Sequence, residues 1–235
     1  MLSLIVAVFT VGMIGKNSFR NSGVIDVENT EDIRNLNCNV NQIFTENDVE
    51  LFIGDYSANY FKHISDDVTV MIVKPMDVIR QYNFTMTQAV EIIEVVNGGA
   101  QVGDIIEIVS TGGVYDGEYA RHTYDNDRPI HYGMINLMFP DNYYLIFVNP
   151  LEISDYTQMQ RYREATSLFS QFNLTCDYSK PIDAPVETIA YNDYGNSEFL
   201  CDTQETIDKL VDFKTEVLEA ILTEEQLKRY RRSGN

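Results

Sequence analysis

The sequence of 235 residues predicts a mainly β fold that ends in one amphipathic helix. Several short apolar runs are rich in β-branched residues and alternate with polar ones, which is typical of strands. Glycine, asparagine and proline separate these runs, as expected for turns. Only the C-terminal region places a series of apolar residues at clear helical spacing.

The clearest strand prediction is a β-hairpin. Residues 82–96, "YNFTMTQAVEIIEVV", are followed by the turn "NGGAQVG" and by residues 104–110, "DIIEIVS", which alternate as a returning strand. The alternation is imperfect at Gln88-Ala89, which predicts a β-bulge there. A helix over 87–96 is the alternative, and the β-branched residues with the flanking glycines disfavour it.

Three further runs are predicted as strands. Residues 46–54 alternate apolar and other residues, and residues 68–74, "VTVMIVK", form a β-branched run that Pro75 is expected to end. Residues 142–152, "NYYLIFVNPLE", form a strongly apolar strand that Pro150 stops. Together with the hairpin, these runs supply enough strands for a sheet with a buried face.

The C-terminal helix is predicted over residues 203–222. Asp202 can cap its N-terminus with Glu205 as the partner three residues later. Thr223 and Gln226 repeat this pattern and predict a break. Its apolar stripe must pack against the strands or against a partner chain, because so many apolar side chains do not stay in water; it consists of Ile207, Leu210, Val211, Val217, Leu218, Ile221 and Leu222.

The glycine pair Gly112-Gly113 does not fit a phosphate-binding loop. Such a loop needs a helix N-terminus directly after the glycines, and the P-loop also needs Lys followed by Ser or Thr. The chain continues "VYDGEYARHTYDND", with neither feature. Signatures of nucleophilic hydrolases, zinc proteases and redox dithiols are also missing. The sequence therefore predicts no catalytic residue and no cofactor.

One loop could hold a metal ion. His122 and His131 enclose Asp125 and Asp127 in residues 118–133, and imidazole with carboxylate is a common ligand set. The same composition is typical of a solvated turn, and the aspartates lack the glycine and final glutamate of an EF-hand. These four residues are the predicted metal site, and a solvated turn is the alternative.

The three cysteines allow one disulfide. If the chain is exported, Cys176 and Cys201 are the plausible pair and Cys38 stays a free thiol. If the chain stays in a reducing compartment, all three are reduced. No two lie at the spacing of a zinc site.

The formal charge of −19 limits the partners of the main body. Such acidity repels phosphate backbones and anionic lipid headgroups, so the sequence predicts no nucleic acid ligand. A membrane contact is predicted only through residues 1–15, which are uncharged and almost wholly apolar. They fit a signal peptide, an N-terminal anchor or a buried element, and residues 16–45 are predicted as a linker.

Four segments carry a resemblance to a known family. They are "ENDVELFIGDYSANY", "TQAVEIIEVVNG", "VGDIIEIVSTGG" and "YYLIFVNP". Their order resembles bacterial exported or surface domains, and the layout is similar to the netrin-like and tissue-inhibitor-type OB barrel. The resemblance implies an OB-like antiparallel β-barrel over 46–178, with a loop and the C-terminal helix over 179–235. The netrin-like cysteines are missing, so inhibition of metalloproteases does not carry over.

The expected function is that of a non-catalytic interaction domain, exported, extracellular or membrane-anchored, with a protein or glycan ligand. OB-like barrels bind oligomeric ligands with a strand face and flanking loops. One alternative is a metal-dependent module or enzyme centred on residues 118–133. Another is a structural subunit that docks through its C-terminal helix.

Overall fold

The computed structural model describes residues 29–35, 39–40, 42–82, 85–110, 113–115, 130–152, 159–183 and 193–232. The described helices are α1 (Thr30–Asn35), α2 (Glu46–Asp55), α3 (Ala58–Ile64), α4 (Gln204–Ile221) and α5 (Glu224–Arg232). The described strands are β1 (Asn39–Val40), β2 (Thr69–Tyr82), β3 (Thr85–Asn97), β4 (Ile105–Ser110), β5 (Gly113–Tyr115), β6 (Ile130–Tyr132), β7 (Tyr144–Pro150), β8 (Arg161–Glu164) and β9 (Gln171–Asn173).

Five strands close into a barrel. The order is β2-β3-β4-β8-β7, and β7 pairs back onto β2. Numbered along the chain, the barrel strands run 1-2-3-5-4, which is the OB order, so the predicted OB-like barrel is confirmed. The pairing around the barrel is mostly antiparallel, as expected, and β4 and β8 are the one parallel pair among these strands. An odd number of strands cannot alternate in direction all the way around a closed ring.

The predicted hairpin is confirmed. β3 and β4 pair antiparallel, with Met86 opposite Ser110 and Glu91 opposite Ile105. A β-bulge lies beside Gln88 and Ala89, as predicted, but the extra residues belong to the neighbouring strand β2 and not to β3. Between the pairs that join Ile79 to Gln88 and Pro75 to Val90, β2 inserts residues 76–78 opposite the single residue Ala89.

Pro75 does not end β2 as predicted. The strand continues to Tyr82, and its register against β3 shifts just after the proline. β7 pairs with β2 only as far as Val73, so Pro75 lies beyond that ladder. A missing N–H is tolerated at a bulge or along an unpaired edge, which explains why the strand passes through.

The predicted strand over 46–54 is wrong, because these residues form α2. The Thr45 side chain accepts a hydrogen bond from the backbone N–H of Asp48, and the Asp48 carboxylate accepts one from the Thr45 N–H. This capping box begins the helix. Val49 is buried while Leu51, which alternation would bury with it, is 65% exposed.

Strands β2 and β7 separate two hydrophobic cores. Side chains of alternate residues point into the barrel or outward under the helices. The interior includes Met71, Val73, Val90, Ile92, Ile106, Ile108, Met138, Tyr144, Ile146, Val148 and Tyr162. The outer core includes Phe44, Val49, Phe61, Val70, Ile72, Leu145, Phe147, Phe169, Phe172, Leu210, Phe213, Val217 and Leu218.

Met138, in the segment before β7, is held in the barrel interior by two hydrogen bonds between its backbone and the Gln88 side chain. The Gln88 amide donates to the Met138 carbonyl at 2.9 Å and accepts from the Met138 N–H at 3.1 Å. Gln88 thus pairs with this backbone as a neighbouring strand would, and Met138 is only 1% exposed. Two buried backbone groups of an irregular segment are satisfied in this way.

Phe44 belongs to the outer core although it lies in the segment predicted as a linker. It is fully buried, and its ring stacks on Phe169 with centroids 5.8 Å apart. Its backbone N–H donates to the Leu200 carbonyl at 2.7 Å, and its carbonyl accepts from the Asp202 N–H. The chain before α2 is therefore tied to the chain before α4.

Helix α4 confirms the predicted C-terminal helix, and its stripe packs against the barrel within the chain. Thr203, one residue after the predicted Asp202, caps it by accepting from the Thr206 N–H. Thr223 and Gln226 begin α5, as predicted. Val211 and Ile221 are half-buried, and the other stripe residues are buried. Within the described residues, no helix is both long and apolar enough to span a membrane.

Substituting Gly98 by alanine is expected to cost about 1–3 kcal/mol of unfolding free energy. Gly98 has a φ of 108°, and an added Cβ would lie 2.8 Å from side-chain atoms of Thr69 and 3.1 Å from its Cα. Chemical denaturation should show the loss. The matched control is Gly99→Ala, since a Cβ there meets nothing within 4 Å and φ is ordinary. Equal effects of both substitutions would contradict the expectation.

Candidate binding face

The outer surface of three adjacent barrel strands carries a group of arginines. Along β4 and β8 the residues Ile106, Ile108 and Tyr162 point into the barrel. The residues between them point outward, which places Glu107 beside Arg161 in the register of the two strands. We call this outer surface of β3, β4 and β8, together with the Arg80 side chain, the arginine face.

A buried carboxylate organises the arginine face. Glu107 is only 3% exposed and binds Arg80 Nη1 at 2.5 Å and Arg161 Nε at 2.7 Å. Arg80 lies on β2 and Glu107 on β4, so the Arg80 side chain crosses β3. Its guanidinium therefore lies over the small residues Thr87 and Ala89, which are buried.

The arginine face keeps positive charge after this pairing. Arg163 lies opposite Val109 in the register, is exposed, and forms no ion pair with any described residue. Arg80 is 51% exposed and Arg161 is 27% exposed. Two guanidiniums thus bind one carboxylate, and the third, that of Arg163, lies at the next outward position of β8. The chain as a whole has a formal charge of −19, and the exposed Glu91 lies farther along β3.

A second charged group lies under α4. Lys214 is 1% exposed, and its Nζ binds Glu198 Oε2 at 2.5 Å and Asp177 Oδ1 at 2.7 Å. It also donates to the Cys176 carbonyl at 3.0 Å. The other oxygen of Glu198 accepts from the Asn173 N–H at 2.7 Å. We call Lys214, Glu198 and Asp177 the Lys214 cluster. Its two buried members, Lys214 and Glu198, both have hydrogen-bond partners.

Burial and charge compete in the Lys214 cluster. Burial disfavours the ammonium, but the carboxylates of Glu198 and Asp177 outweigh it and hold the pKa of Lys214 above its ordinary value. Burial also raises the pKa of Glu198, and Lys214 only partly offsets this. Lys214 is not accessible to solvent, so the cluster holds α4 against the residues that precede it and does not bind a ligand.

The predicted disulfide is not present in the structure. Cys176 and Cys201 are both free thiols, the first exposed and the second buried. Cys201 lies in the outer core, and burial raises the pKa of its thiol. The Asn173 amide donates to the Cys176 sulfur at 3.5 Å. Residue 38 lies outside the described residues.

The predicted metal-site residues are placed only in part. His122, Asp125 and Asp127 lie outside the described residues, and His131 lies on β6, where its backbone pairs with Val40 and Val114. The metal site on residues 118–133 therefore stays a prediction. In the part of the chain that the structure describes, no three His, Cys, Asp or Glu side chains are grouped to hold a metal ion.

Comparison with known proteins does not identify a relative of this chain. A scan against protein-family models and a search of the curated proteins both find no match for this chain. The resemblance to netrin-like and tissue-inhibitor-type barrels stays a prediction.

The arginine face was not predicted from the sequence, although a signal for it exists. In "RYRE", residues 161–164, two arginines flank an apolar tyrosine at the period of a strand. Such a pattern indicates one buried face and one cationic face. Glu107 has a weaker signal, since a glutamate within a half-buried strand normally faces water.

Proposed function

We propose that this protein is a non-catalytic interaction domain that is exported or tethered at the cell surface, and that it binds an anionic ligand on the arginine face. The observation that carries the proposal is the Glu107 carboxylate holding two guanidiniums over the central barrel strands, with Arg163 beside them. Arginines fixed by a buried partner lose less side-chain freedom on binding a carboxylate than mobile ones.

The position of the arginine face supports this function. The second and third strands of OB-like barrels carry the ligand site in many members of that fold, and here they are β3 and β4. A carboxylate ligand can bind an arginine through two parallel hydrogen bonds. The overall negative charge repels any long polyanion, so a short acidic protein segment or glycan, which touches only the arginine face, fits better than a long nucleic acid.

The alternative of docking through the C-terminal helix has less support. The stripe of α4 is buried against the barrel of its own chain, for example at Leu210 and Val217. It is therefore not free to receive a partner. No described residue favours the metal-dependent alternative over the binding domain.

Reversing the charge of Arg163 is expected to weaken the binding of acidic probes about tenfold or more. The probes are an oligoglutamate and an oligogalacturonate, measured by isothermal titration calorimetry at low salt, with neutral dextran as the blank. Arg163→Glu should bind weakly because it replaces an attraction with a repulsion. Arg163 is exposed, so circular dichroism should show an unchanged fold.

Arg231→Glu is the matched control, because it makes the same charge change at an exposed position on α5. It should bind the acidic probes as the native chain does. The proposal is overturned if the native chain binds neither acidic probe, if the two variants lose affinity equally, or if a single-stranded oligonucleotide binds the arginine face more tightly than both probes.

A further inference from the structure

We propose that the arginine face accepts an extended acidic peptide whose carboxylates occur at alternate residues, i and i+2, lying along β8. This inference rests on the proposed function and specifies its ligand. In this arrangement one carboxylate of the peptide binds near Arg161, and the carboxylate two residues later binds Arg163.

The spacing of the two arginines carries the inference. Arg161 and Arg163 are successive outward residues of β8, with Tyr162 between them pointing into the barrel. Outward positions on one strand repeat at roughly 7 Å, because each residue advances by roughly 3.3–3.4 Å. An extended peptide repeats its own side chains at the same interval on one face. The two periods match only when the ligand carboxylates are two residues apart.

The hydrogen bonding of the barrel favours side-chain recognition over strand addition. β8 is paired on both sides, with β4 and with β7, so its backbone has no free edge in this region. A peptide above β8 must therefore be bound through side chains. Arg161 is oriented by Glu107, which sets one end of the register, and Arg163 supplies the second cation.

The surroundings of the arginines favour a peptide over a glycan. Apart from the carboxylates Glu91 and Glu107, the described outward residues of β3 and β4 near them are Thr87, Ala89, Ile105 and Val109. None of these is aromatic, so a sugar ring finds no stacking partner there. Because these side chains are small or aliphatic, the surface between the arginines has no bulky protrusion, and an extended peptide backbone can lie on it. Ile105 is 45% exposed and offers apolar contact at one end.

The test uses two octapeptides of identical composition. In one, glutamate alternates with threonine; in the other, the glutamates form a block that follows the threonines. The native chain should bind the alternating peptide at least about fivefold more tightly, since only this order presents carboxylates at the spacing of the arginines. Arg163→Glu should abolish the preference, and Arg231→Glu should retain it.

The outcomes separate the two proposals. Equal affinity for the two peptides, both lost in Arg163→Glu, overturns the alternating register and leaves the binding function intact. Binding of oligogalacturonate but of neither peptide overturns the peptide ligand and again leaves the function intact. If neither peptide nor the glycan binds, the inference and the proposed function fall together. A preference that survives Arg163→Glu also overturns the inference, because the register would then be set elsewhere.

Discussion

Replacing Lys214 by methionine is expected to lower the free energy of unfolding by about 3–5 kcal/mol. Methionine fills similar space but leaves the Glu198 carboxylate buried beside Asp177 without a counter-charge. It also removes the donor to the Cys176 carbonyl. Urea denaturation of the native and variant chains at neutral pH measures the loss.

The loss should shrink as the pH falls. In the variant, burial without Lys214 places the pKa of Glu198 further above its ordinary value of 4.5. The folded chain then binds a proton more tightly than the unfolded chain, so stability rises as the pH drops through the raised pKa toward 4.5. A constant difference between native and variant from neutral pH down to that range would contradict this cause.

Lys209→Met is the matched control on the same helix. Lys209 pairs with Glu46 at 2.6 Å, but that carboxylate is 52% exposed. Little change is expected, because solvent screens this pair. The double variant Lys214→Met with Glu198→Gln should be more stable than Lys214→Met alone at neutral pH, since no buried carboxylate remains in the Lys214 cluster. If it is less stable, the buried charge is not the reason for the loss.

Replacing Phe61 by alanine is expected to cost about 3–5 kcal/mol. Phe61 is fully buried at the centre of the outer core. Its ring centroid lies 4.9 Å from that of Phe147 on β7, 5.5 Å from that of Phe172 on β9 and 6.1 Å from that of Phe213 on α4. The substitution leaves a cavity where α3, α4 and the barrel meet, and thermal or urea denaturation detects it.

Leu51→Ala on α2 is the comparison, because Leu51 is 65% exposed and its removal opens no cavity. Phe61→Leu should lose less than Phe61→Ala, since leucine refills part of the space. Equal stability of Phe61→Ala and the native chain would mean that the helices do not depend on this contact.

Local patterns were sufficient where one element carries its own signal. The hairpin was predicted because two alternating runs flank a glycine-containing turn, and β3 and β4 need no distant residue to define them. α4 was predicted because its stripe repeats over several turns. For residues 46–54 the alternation of Val49, Leu51 and Ile53 predicts a strand, and this is wrong because Val49 and Ile53 also fit the period of a helix. The cap at Thr45 and the exposure of Leu51 decide for the helix.

The sequence by itself determined the mainly β class, the β3–β4 hairpin, the C-terminal helix and its break at Thr223, because each depends on neighbours a few residues apart. The tertiary structure alone decided the parallel pairing of β4 with β8, the passage of β2 through Pro75 and the arginine face. Glu107 lies 54 residues from Arg161 and 27 from Arg80 in the chain. Closing the barrel brings them together, and strand closure depends on long-range pairing that no local period encodes.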